Sequence, residues 1–71
     1  MGYGQMMNDI MAIARHKKYN VELTYFVETD DYLLCVYENT PMISPRFEFC
    51  DENYDIVMQE VYGMLMAEMV Q

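Results

Sequence analysis

The sequence predicts an α+β fold, one small domain built as a helix, a three-stranded antiparallel sheet and a second helix across residues 1–71. Three observations carry this reading. Apolar residues recur at helical spacing from Met6 to Ala14, the period changes to two after Tyr19, and helical spacing returns at Tyr54. A chain of 71 residues supports one core and no second domain.

The first five residues, "MGYGQ", read as a loose start, because two glycines raise the entropy cost of a helix there. "QMMNDIMAIARHKK" follows, with Met6, Ile10, Ile13 and Lys17 on one stripe and Met7, Met11 and Ala14 beside it. Arg15, His16, Lys17 and Lys18 close this helix at the negative end of its dipole, where each cation is worth ~0.3–1 kcal/mol. Helix termination explains that basic run better than a nucleic-acid patch does.

"VELTYFVE" then alternates Val21, Leu23, Tyr25 and Val27 against Glu22, Thr24, Phe26 and Glu28, as a half-buried strand requires. "YLLCVYEN" is a second strand. A two-residue turn at Asp30–Asp31 sets Val27 opposite Leu34 and Tyr25 opposite Val36, whereas a one-residue slip sets Glu22 against Glu38. This register puts Phe26, Leu33, Cys35 and Tyr37 on the outer face. Pro45 cannot donate to a ladder, so the third strand, near "SPRFEFC", is an edge. "DENYDIVMQEVYGMLMAEMVQ" is the last helix, with Asp51 as its expected N-cap and Tyr54, Met58, Val61, Leu65 and Met69 as its core stripe.

The apolar fraction is 54%, too much for so small a core to hold. The surplus is expected on the surface, and an apolar surface patch marks a partner or self-association. On the last helix the far side carries Ile56, Gly63, Met66, Ala67 and Val70, an expected homodimer face. Nine methionines suit an adaptable contact surface.

Charge is uneven. Residues 21–71 hold eleven acids against Arg46 alone, a balance of −10, while residues 1–20 carry +2. Such a field repels nucleic acid and anionic membranes and steers the chain towards basic surfaces. The expected partner is therefore a basic protein surface, with no direct nucleic acid and no membrane. No basic region precedes an apolar leader, and no apolar run approaches the ~18 residues of a membrane span. Cys35 and Cys50 lack motif spacing and fit a reducing cytoplasm.

Chemistry is sparse. The single histidine, His16, ends a helix with no nucleophile or acid at local motif spacing, and no phosphate loop, zinc-finger spacing or calcium-loop pattern occurs. An enzyme is not expected, nor any cofactor or metal. Carboxylates are what the chain offers: Glu22, Glu28, Asp30, Asp31, Asp51, Glu52 and Asp55 are the expected partner-binding acids, with Phe26 and Tyr37 as aromatic anchors.

The helix–three strands–helix order resembles the double-stranded-RNA-binding domain. That module places lysines at the start of its last helix, where this chain has Asp51, Glu52 and Asp55. The sign excludes the function. A second resemblance lies in "NDIMAIARHKKYNVEL", residues 8–23. Asn8, Asp9 and Ile10, followed by Lys17, Tyr19, Val21 and Leu23, resemble the opening of a small acidic phage-encoded anti-CRISPR family that inhibits a type II RNA-guided nuclease. The resemblance implies a DNA mimic that seats carboxylates in the cationic groove where the nuclease reads its adjacent motif, working in a bacterial host cytoplasm. This chain is shorter, has fewer acids in its last helix and is richer in methionine.

Overall fold

The structure, a computed structural model, describes residues 3–70, apart from the side chain of Tyr3. Its elements are α1 (Tyr3–Lys17), β1 (Asn20–Phe26), β2 (Asp31–Tyr37), β3 (Phe47–Asp51) and α2 (Tyr54–Met69). The strands form one antiparallel sheet in the order β1-β2-β3. The predicted α+β architecture is the observed one.

Helix α1 already runs at Tyr3, where the sequence reads as loose; Met1 and Gly2 lie outside the described residues. Once a helix is nucleated, each further residue adds a hydrogen bond, which offsets the ~1 kcal/mol that Gly4 costs. The helix stops in a Schellman motif. Lys18 takes φ 64°, its N–H donates to Arg15 O at 3.3 Å, and the Tyr19 N–H donates to Ala14 O at 2.8 Å.

Both helices cover one face of the sheet. The buried core joins Ile10 of α1, Leu34 and Val36 of β2, and Val57, Met58, Val61 and Leu65 of α2. Around it pack Met6, Met7, Ile13, Val21 and Tyr54, at the facing positions expected from the sequence, together with Phe47, Phe49 and Tyr62. Met11 and Met69, expected in or beside the stripes, are instead exposed. No helix among the described residues is long and apolar enough to cross a membrane.

Two local expectations are corrected. The hairpin turn is Val27–Asp30, four residues, so Phe26 pairs with Asp31, Tyr25 with Tyr32 and Leu23 with Leu34. The Asp30 N–H closes the turn on Phe26 O at 2.7 Å. The shift from the expected register is an even number of residues, so every side chain that stays in the two strands keeps its predicted face. The N-cap of α2 is Asn53, whose side chain accepts from Asp55 N at 2.9 Å and Ile56 N at 3.4 Å. Asp51 ends β3 opposite Tyr32, and its Oδ1 accepts from Asn53 N at 2.8 Å. It thereby orients the residue that does cap.

Candidate functional site: an acidic pole

The register decides which carboxylates meet. Tyr32 pairs with Asp51, so Asp31 and the turn that precedes it lie at the same end of the sheet as Asp51, Glu52 and the first turn of α2. Strands sit ~4.8 Å apart. Six carboxylates from two separate stretches, Glu28, Asp30 and Asp31 with Asp51, Glu52 and Asp55, therefore share one pole. Among the described residues, salt bridges reach only Glu38 and Glu68, so no base neutralises this pole.

A ladder of tyrosines joins the two halves. Tyr25 and Tyr32 have ring centroids 5.0 Å apart, and Tyr32 meets Tyr54 edge-on at 5.3 Å. Such pairs are worth ~0.5–1.5 kcal/mol beyond their burial. The Tyr25 hydroxyl donates to Asp30 Oδ1 at 2.6 Å, and that carboxylate raises the tyrosine pKa above its ordinary value. Asp30 stands at φ 58°, a backbone region that aspartate tolerates better than most residues. Beside the turn an open hollow is lined by Tyr32, Asp51, Glu52, Asn53 and Asp55.

Apolar surface lies against these charges. Phe26 is exposed, Tyr25 is 49% exposed and Val27 76% exposed. Val27 reads in the sequence as an inward-facing strand residue, because alternation alone cannot say where the strand ends and the turn begins. Val27 belongs to the turn. The turn chemistry, two aspartates after "VET", held the only signal for this.

Two expected members are elsewhere. Glu22 pairs with Cys35 in the middle of the sheet, on the face away from the helices, and accepts from the Tyr37 hydroxyl at 3.2 Å. Tyr37 is only 8% exposed, so it is a buried packing residue and not an accessible anchor. Its hydroxyl is held protonated: hydrogen bonding with Cys35, reinforced by burial and Glu22, pushes its pKa up to about 12. Of the two cysteines, Cys35 is buried but Cys50 is exposed, and both thiols are free.

The opposite end of the molecule is a knit of opposite charges. Arg46 Nη1 donates to Glu38 Oε2 at 2.6 Å and Arg46 Nε to Glu68 Oε2 at 2.5 Å, while Lys17 Nζ lies 4.0 Å from Glu68 Oε1. The guanidinium pKa is raised further by these carboxylates, Glu68 first. On α2 the expected self-association residues Ile56, Gly63, Met66 and Val70 do face outward, with Gln59 and Glu60 exposed among them. An added Cβ at Gly63 would meet nothing within 4 Å.

Among the described residues, no three of His, Cys, Asp and Glu are grouped to hold a metal ion. What the pole offers is a cluster of negative charge with an apolar tip. No protein-family model, curated protein or solved structure matches the chain.

Proposed function

We propose that this chain is a small acidic inhibitor that blocks a basic nucleic-acid-binding groove, presenting carboxylates where DNA presents phosphates. The observation that carries the reading is the uncompensated pole of Glu28, Asp30, Asp31, Asp51, Glu52 and Asp55, held by backbone register and not by flexible tails. Duplex DNA carries one negative charge per ~1.7 Å of its axis, and a groove built for it is lined with Lys and Arg. A cluster of six carboxylates engages such a groove electrostatically, while Phe26 and Val27 at the tip supply desolvated contact.

The resemblance over residues 8–23 directs the choice of target to a type II RNA-guided nuclease. Such a nuclease reads its adjacent motif with arginines in a cationic groove that also receives the DNA phosphates, so an acidic wedge competes directly with DNA. Titrating the protein into a guide-loaded nuclease tests this, with duplex binding read by fluorescence anisotropy. Stoichiometric loss of duplex binding is expected. Unchanged binding at a large molar excess would remove the nuclease as target.

A second reading, a homodimeric assembly protein, draws on the outward apolar stripe of α2 at Ile56, Gly63, Met66 and Val70. It makes no use of the acidic pole.

A further inference from the structure

Strand β1 is the unprotected edge of this sheet. β3, the other edge, is five residues long and follows Pro45, whereas β1 is seven residues with no proline, lysine or arginine in it. Edges of that kind pair with other strands unless they are blunted. The helix side of β1 is also thinly covered, because α1 leans on α2 more than on β1. Leu23 is 40% exposed, Tyr25 and Met11 are exposed as well, and a groove lined by Met7, Met11 and Val21 runs between helix and strand.

From this we infer that β1 docks a second copy of this chain, the two β1 strands pairing antiparallel about Leu23 to make one six-stranded sheet. The strand is self-complementary in that register. Leu23 meets its own copy and Val21 meets Tyr25 on the helix side, Glu22 meets Thr24 on the open side, and Asn20 meets Phe26. All seven residues pair, and no like charges oppose. Sliding the pairing two residues towards the N-terminus would set Glu22 against Glu22.

The charges beyond the strand agree. The same register brings Lys18 of one copy level with Glu28 of the other, and Lys18 lies one helical turn from Arg15. Neither Lys18 nor Arg15 is in a salt bridge among the described residues. Lys18 moreover occupies a positive-φ position where glycine would cost less. Antiparallel pairing sets the acidic turn of each copy beside the basic helix end of its partner and points the two acidic poles apart. Isologous symmetry makes each pair count twice. The outward stripe of α2 offers no comparable register, since Gln59 and Glu60 interrupt it. Dimerisation leaves Asp51, Glu52 and Asp55 free, and the inference stands independently of the inhibitor reading.

Sedimentation equilibrium of the full chain, from micromolar to millimolar, tests it. The mass is expected to climb from 8.5 kDa to twice that value. Thr24→Lys, which sets a lysine opposite Glu22, should tighten the dimer roughly 2- to 30-fold at low salt, and Thr24→Glu should weaken it by a similar factor. Should Thr24→Glu fail to fold, the exposed pair decides: Lys18→Glu weakens the dimer and adding Glu28→Lys restores it. A single-chain mass throughout overturns the inference. So does a dimer indifferent to the Thr24 and Lys18 changes but broken by Met66→Glu, which would seat the interface on α2. Capture of an unrelated extended peptide at β1 without self-association overturns it as well.

Discussion

Tyr19 donates its hydroxyl hydrogen to Glu68 Oε1 at 2.6 Å, tying the residue that leads into β1 to the last turn of α2. With Arg46 on the other carboxylate oxygen, Glu68 becomes the joint where α1, the β2–β3 connection and α2 meet. Its side chain is 13% exposed. The Tyr19 hydrogen bond, followed by Arg46, holds the Glu68 carboxyl below the ordinary carboxylate range.

The consequence is an acid-sensitive joint. A depressed carboxylate pKa contributes stability above its ordinary value and loses it as pH falls through the folded value. Thermal unfolding from pH 7 to pH 3 should therefore show a falling Tm, with a shallower fall in Glu68→Gln. Tyr19→Phe should lower Tm at pH 7 by several degrees. Equal slopes for Glu68→Gln and the parent would place the acid sensitivity elsewhere.

Lys18→Gly should stabilise the chain by about 1 kcal/mol, because the Schellman position at φ 64° strains any residue with a Cβ. Urea unfolding at pH 7 measures it. A loss of stability would mean that the lysine side chain makes a contribution larger than its backbone strain.

The two thiols should separate kinetically. Burial pushes the Cys35 thiol pKa up and hides it, while Cys50 is exposed. One equivalent of thiol should react quickly with a chromogenic disulfide reagent in the native protein, and the second only in denaturant. Cys50→Ser should abolish the fast phase. Two fast thiols would mean that β2 opens readily.

The architecture was legible because periodicity survives register error. The expected Asp30–Asp31 turn and the observed Val27–Asp30 turn place the strand residues on the same faces, so Leu34, Val36 and Val21 were found despite the wrong pairing. The cap was harder to read. Asp51 and Asn53 are both N-cap residues two positions apart, and only the pairing of Asp51 with Tyr32 decides that β3 takes the first. The acidic residues were visible as two clusters, but their meeting at one pole depends on that same pairing. Alternation assigned Tyr37 correctly to the outer face and gave no hint of its burial there. Glu22 drew notice by charge alone, whereas its partner Tyr37 takes it out of the pole.

Rim charges act chiefly through the association rate. Neutralising the turn with Glu28→Gln, Asp30→Asn and Asp31→Asn should leave far-UV circular dichroism unchanged, although Asp30→Asn weakens the bond from Tyr25. Association with a basic partner should slow, and its dependence on salt should flatten. An association rate equal to the parent's at low salt would reduce the turn to a solvated loop.

In the proposed mode of inhibition the pole acts, and not net acidity. Inhibition of duplex binding by a guide-loaded type II nuclease, compared between two triple variants of equal charge change, separates the two. One neutralises the pole through Asp51→Asn, Glu52→Gln and Asp55→Asn; the other neutralises Glu22, Glu48 and Glu60 away from it, each to glutamine. The first is expected to lose inhibition at least tenfold more than the second, about 1.4 kcal/mol of binding or more. Equal losses in both variants, or none in either, would contradict it.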